Sequence, residues 1–205
     1  MKDFSQIADK ESVEKAINAL KANNIDAKFF QTGEEAKQAV LALIPEGAEV
    51  MTMSSVTLDT LGISKEVQES SNFNSVKNKL NKMDRESQGL EMKKLGAAPE
   101  WTIGSVHAAT EDGHLLIASN TGSQLPAYAG GSAHVIWVIG TQKITKNTDE
   151  GIKRIYDYVL PLESVRLNKQ YNVNTGSFVS KLLIVNREFM PGRVTVIFVG
   201  EKLGF

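Results

Sequence analysis

Apolar positions in the first third of the chain alternate between two periods. Val13, Ala16, Ile17 and Leu20 recur at helical spacing. Ile25 to Phe30 is a short apolar and aromatic run that predicts a strand. Ala36, Val40, Leu43 and Ile44 form a second helical stripe, opened by Thr32 and Glu35 at capping-box spacing and stopped by Pro45-Glu46-Gly47. Ala48 to Met53 follows as a buried strand ending at Ser54-Ser55.

From 65 to 100 the pattern is polar and charge-rich, which predicts helices packed on one side and a mobile connection. Strands return at Trp101. Trp101 to Ala109 and His114 to Ser119 flank Glu111-Asp112-Gly113, and Asp-Gly between strand-like runs predicts a tight hairpin. Val135 to Ile139 is continuously apolar, as a central parallel strand buried on both faces is. Asn147 can cap a helix carrying Ile152, Ile155, Tyr156 and Val159, which Pro161 ends or kinks. Leu182 to Val185 and Val194 to Val199 complete the strands. Helices alternating with short buried strands predict an α/β fold: a mainly parallel, Rossmann-like sheet flanked by helices, with an antiparallel hairpin element. No internal repeat or long linker divides the chain, so residues 1–205 read as a single domain.

Composition narrows the chemistry. Lys plus Arg number 23 and Asp plus Glu 24, a net charge of −1, so there is no bulk field for nucleic acid or an anionic membrane. With no cysteine, the chain itself cannot ligate an iron–sulfur cluster or form a thiolate zinc site. Three histidines, His107, His114 and His134, are too few and too scattered for a multi-His metal site. No Walker A or G-x-G-x-x-G pattern is present. These features predict no cofactor or metal bound by this chain. The polar N-terminus and short apolar runs predict a cytoplasmic protein without a membrane segment.

In parallel sheets ligands bind at the carboxyl ends of the strands. That rule selects Ser54, Ser55 and Thr57, the turn at Glu111, and the segment Asn120 to Ser132 with Thr121, Gly122 and Ser123. Hydroxyls at a strand-to-helix turn suit a phosphate or carboxylate, or serve only as N-caps. The glycines and hydroxyls of Asn120-Thr121-Gly122-Ser123 and Gly130-Gly131-Ser132 suit an anion-binding nest, or a turn without ligand. His107 and Glu111 share a face if their strand runs unbroken, which would make Glu111 a base or nucleophile, with Lys143, itself a candidate ligand-binding residue, as charge partner. The alternative is an exposed turn glutamate beside a packed histidine.

Several segments in order resemble one family. They are Trp101-Thr102-Ile103-Gly104, Ala108 to Gly113, Ala118 to Ser123, His134 to Gly140 and Gln142-Lys143-Ile144. Tyr158 to Glu163, Lys181 to Glu188 and the closing Glu201-Lys202-Leu203-Gly204-Phe205 continue the set, and Met53 to Leu58 matches its first-half motif. Together they resemble the LUD domain family, that of lactate-utilisation protein C, over nearly the whole chain and least from 65 to 95. The resemblance implies a fold like that of ribose-5-phosphate isomerase, glucosamine-6-phosphate deaminase and the CoA transferases. It also implies an accessory place in oxidation of L-lactate to pyruvate with iron–sulfur partner proteins. The turn at Glu111 is similar to the glutamate-bearing turn of CoA transferases. Three functions follow as alternatives: an accessory lactate-utilisation component binding a small carboxylate or a partner; an enzyme acting on a phosphorylated or CoA-linked metabolite; and a ligand-binding module without catalysis. Each is compatible with a homo-oligomer.

Overall fold

Strand β7 (His134–Gly140) shows how the sequence builds the centre of the molecule. Side chains alternate between the faces of a strand, so an all-apolar run must be covered on both. Val135, Trp137 and Ile139 enter one buried cluster, and Ile136 and Val138 enter another. The computed structural model describes residues 3–205.

The main sheet has six parallel strands. These are β1 (Asp26–Phe30), β2 (Glu49–Thr52), β3 (Asn74–Ser75), β4 (Trp101–Gly104), β7 and β10 (Val194–Val199), in the order β1-β10-β7-β4-β2-β3. Helices α2 (Gly33–Leu43), α3 (Val56–Thr60) and α4 (Ile63–Glu69) cover one face through Ala36, Val40, Leu58, Ile63 and Val67. Thr32 and Glu35 form the capping box that starts α2. Helix α1 (Lys10–Ala22) covers the other face with Val13, Ala16 and Leu20, together with a second sheet. Each fully buried leucine, isoleucine or valine among these contributes roughly 1.5–3 kcal/mol.

The second sheet orders β8 (Ile144–Thr145), β5 (Ala108–Thr110), β6 (Leu115–Ser119) and β9 (Lys181–Val185) as β8-β5-β6-β9. Its β5–β6 pair is the antiparallel hairpin predicted around Asp112-Gly113, and Gly113 takes the positive φ of 89° that the turn requires. The first arm differs from expectation. Trp101 to Ala109 is not one strand: β4 belongs to the main sheet, β5 to the second, and Ser105 to His107 cross between them.

Helix α7 (Thr148–Arg154), capped by Asn147, lies against the second sheet, where Ile155 packs with Ala108 and Leu116. Pro161 does not end this helix. A π-helical turn, Ile155–Val159, comes first, and α8 (Leu160–Tyr171) continues with Pro161 in its first turn. Such a turn re-registers the backbone where proline offers no N–H. Helices α5 (Val76–Leu80) and α6 (Arg85–Ala97) occupy the charge-rich stretch, and α6 has no buried residue. No helix among the described residues is long and apolar enough to cross a membrane.

Candidate functional site

Four neighbouring strands, β10, β7, β4 and β2, end on the same rim of the main sheet. The segments leaving them carry Gly204, Lys143, Ser105 and Ser54, and all four residues line one cavity of about 660 Å³. Ser55, Thr57, Thr121 and Ser123 line it as well, with α8 and the segment after it on the outer side.

Lys143 is the floor of this cavity, only 3% exposed. Its Nζ stands 3.1 Å from Thr57 Oγ1 and 3.1 Å from Ser105 Oγ. Both hydroxyls have already placed their own protons. Thr57 donates to the Leu203 carbonyl at 3.2 Å, and Ser105 donates to the Val138 carbonyl at 2.6 Å. Each therefore presents a lone pair to Lys143. An ammonium has three N–H groups. Two are taken in this way, and no acceptor for the third is present among the described residues. Among the described residues no carboxylate pairs with Lys143 either. Burial pushes its ammonium down to about 7, and the positive charge of Arg154 adds to that effect.

Arg154 explains part of this field. Its guanidinium is fully buried, donates to the His107 carbonyl and lies 5.2 Å from the centre of the Tyr158 ring. Its Nε and Nη2 have no hydrogen-bond partner among the described residues. His107 lines the cavity, and its Nδ1 accepts from the Ala118 N–H at 3.0 Å. Burial, then the charges of Lys143 and Arg154, push its imidazole down to about 3. The ring is neutral at physiological pH, with its proton on Nε2. The cavity thus joins one buried cation, one neutral imidazole donor and a set of hydroxyls. Its two acids are Asp59 and Glu163, and Glu163 is held by a two-pronged pair with Arg166 at 2.6 and 2.7 Å. Lys77 reaches the edge of the site, 3.4 Å from Ser54 Oγ.

Glu111 stands elsewhere. Its backbone N–H is bonded to the Thr145 carbonyl, and its carboxylate lies 4.0 Å from Lys15 of α1, outside the cavity. Gly113 in the same turn accepts at its carbonyl from the Asn23 side chain at 3.0 Å. This hairpin end packs against α1, while His107 serves the opposite side. The expected pairing of His107 with Glu111 therefore does not form, and Lys143 is not the partner of Glu111.

The glycine-rich segments also divide. At 119–125 the turn uses its own donors: Gly122 N–H bonds Ser119 Oγ at 2.8 Å and Ser123 N–H bonds Thr121 Oγ1 at 3.3 Å. Thr121 and Ser123 reach the cavity through their side chains, and Gly122, at φ 85°, makes the turn without lining it. These N–H groups do not form an open nest. Gly130 to Ser132 lies at the other end of β7, where Ser132 Oγ meets Thr102 Oγ1 at 2.6 Å and the Ser132 carbonyl accepts from Arg193. Ser55 occupies the N-cap position of α3, yet its side chain makes no capping bond.

Ser105 is a site residue the sequence reading missed. It follows a parallel strand as Ser54 does, but the signal is hidden when Trp101 to Ala109 is taken as one strand. Among the described residues no three His, Asp or Glu side chains are placed to hold a metal ion.

The LUD domain family profile matches residues 13–199, and the chain belongs to that family. No curated protein matches the sequence. The fold is similar to the crystal structure of a DUF162 family protein from Deinococcus radiodurans: TM-score 0.59 at 10% identity, covering 95% of this chain and 99% of that one. A ribose 5-phosphate isomerase from Plasmodium falciparum aligns with TM-score 0.35 at 12% identity, covering 77% of this chain and 98% of that one.

Proposed function

We propose that this LUD domain protein binds a small anion, a carboxylate or phosphate, on Lys143. The observation that carries the reading is the ammonium with two N–H groups fixed by Thr57 and Ser105 and a third left for a ligand. A buried cation without a counter-ion is costly, and an anionic ligand offsets that cost. The hydroxyls of Ser54 and Ser55 line the same cavity and can donate to a ligand there.

The role that fits both this site and the family resemblance is an accessory one in oxidation of L-lactate to pyruvate. Lactate and pyruvate are small carboxylates of the kind Lys143 would take. The 205 residues contain no cysteine, so electron transfer would belong to iron–sulfur partner proteins. Calorimetric titration with L-lactate and pyruvate tests the site, and co-purification with the cysteine-rich products of neighbouring genes tests the partnership. Saturable binding that Lys143→Met abolishes supports the reading. Absence of binding by either acid and by inorganic phosphate contradicts it.

The amine held near neutrality favours a second reading, an enzyme acting on a phosphorylated or CoA-linked metabolite with Lys143 giving and taking a proton. Turnover of such a compound, lost in Lys143→Met, would select it over a pure binding role.

A further inference from the structure

The cavity is much larger than a three-carbon acid. At about 660 Å³ it falls within the roughly 300–1,000 Å³ of pockets that enclose drug-sized ligands. Its lining also changes character from floor to rim. The floor is Lys143 with Thr57 and Ser105; at the rim, α8 and the segment after it add the paired Glu163 and Arg166 and two aromatic rings, Tyr171 and Phe178, which are 64% and 60% exposed. Large apolar side chains left open beside a cavity mark a surface that a ligand covers.

The rim is built rather than trailing. After α8 the chain turns back with Asn172 at φ 52° and Gly176 at φ 69°. Two residues one turn apart on α8 then fasten it. Asn168 Oδ1 accepts from Gly176 N–H and Ser164 Oγ accepts from Ser177 N–H, both at 2.9 Å. Phe178 follows directly, so its backbone is anchored to α8 before any ligand arrives. Preorganised aromatic groups recognise a ligand with little loss of conformational freedom.

From this polarity we infer that the ligand is two-ended: an anionic head held at Lys143 and an aromatic group covered by Tyr171 and Phe178. This rests on the anion reading above and adds the second end. The class is that of aryl-bearing carboxylates or phosphate esters, with lactate or phosphate alone filling only the floor.

Two matched pairs test it on the purified chain by calorimetry: L-lactate against L-phenyllactate, and inorganic phosphate against phenyl phosphate. The aromatic member of each pair is expected to bind about tenfold tighter, the gain that desolvating two rings would give. Tyr171→Ala combined with Phe178→Ala should remove that gain and leave L-lactate and phosphate affinity unchanged. Both side chains are largely exposed, so the folded state should survive, and Phe178→Leu should keep part of the gain. Lys143→Met should lose all four ligands. Equal affinity within each pair, with L-lactate still bound through Lys143, overturns the two-ended ligand alone. Failure of both L-lactate and phosphate to bind overturns the anion reading beneath it. A gain that persists in the double alanine variant overturns the assignment of the rim.

Discussion

Lys143 Nζ and Thr57 Oγ1 stand 3.1 Å apart although 86 positions separate them in the chain. The contact joins the segment leaving β7 to the turn leaving β2, with Ser105 from the end of β4 completing it. The relationship costs stability. Lys143 titrates near 7 in the folded protein against 10.5 for a free lysine. Below pH 7 both states hold the proton and the full cost of burying it is present. Between pH 7 and about 10 the unfolded chain retains a proton that the folded one has released. Stability should therefore rise with pH in that window, by at most about 1.4 kcal/mol per pH unit from this group. Urea unfolding at pH 7 and pH 9.5 checks this. Lys143→Met should be the more stable protein at pH 7, with the advantage shrinking at pH 9.5. A difference that is constant with pH would contradict the assigned burial cost.

Gly204 closes the site from the C-terminal side. It holds φ at 64°, and a Cβ there would stand 2.8 Å from Thr57 Oγ1. Gly204→Ala should displace Thr57 or the closing segment and weaken anion binding about tenfold or more, with the sheet intact by circular dichroism. Unchanged affinity would show that the segment yields without disturbing Lys143.

Glu111 provides the contrasting case. Its charge neighbour is Lys15 at 4.0 Å, a partly exposed pair. Such pairs contribute little, so Glu111→Gln should change unfolding free energy by about 0.5 kcal/mol or less and leave L-lactate affinity as it is. A loss of binding in Glu111→Gln would place the carboxylate in the site after all.

Arg193 is a test of architecture. It pairs with Glu188 at 2.6 Å and donates to the carbonyls of Ala127, Tyr128 and Ser132, tying the entry of β10 to the segment 127–132 that precedes β7. Both members of the pair are nearly buried. Arg193→Ala removes the cation beside Glu188, which keeps the Met190 N–H, and one donor from each of three carbonyls, of which Ala127 keeps the Ser132 N–H, so thermal and urea unfolding should report a loss of about 3 kcal/mol. A loss below about 1 kcal/mol would mean that water replaces the guanidinium there.

The legibility of this chain follows from what each residue must satisfy. β7 and β10 were readable because a strand buried on both faces has to be apolar throughout. That Ser54, Ser55 and Thr57 reach the cavity was readable because polar residues directly after such a run fall at the carboxyl ends of the strands. Lys143 was marked as a candidate ligand-binding residue and as a charge partner for Glu111, but its burial was not foreseen, since nothing in its local pattern distinguishes a buried lysine from a solvated one. Ser105 was hidden because Gly104-Ser105 is too short a break within Trp101 to Ala109 to signal that the chain changes sheets. Tyr171 and Phe178 were out of reach for another reason. Pro161 reads as ending or kinking the helix, whereas a π-helical turn lets the helix continue through it, and the segment after α8 has no period at all. Glu111 was misplaced because residues four apart share a face only in an unbroken strand, and β5 spans just Ala108–Thr110 between them.

The most direct test is the affinity for L-lactate as a function of pH from 6 to 9, measured on the wild-type chain and on Lys143→Met. The carboxylate of lactate keeps its charge over this range, so any change reports the protein. If the ligand sits on the Lys143 ammonium, affinity stays level below pH 7 and then falls, approaching tenfold per pH unit, as that group loses its proton. Lys143→Met binds weakly at every pH. An affinity that remains level to pH 9, or that Lys143→Met retains, would contradict an anion held by this lysine.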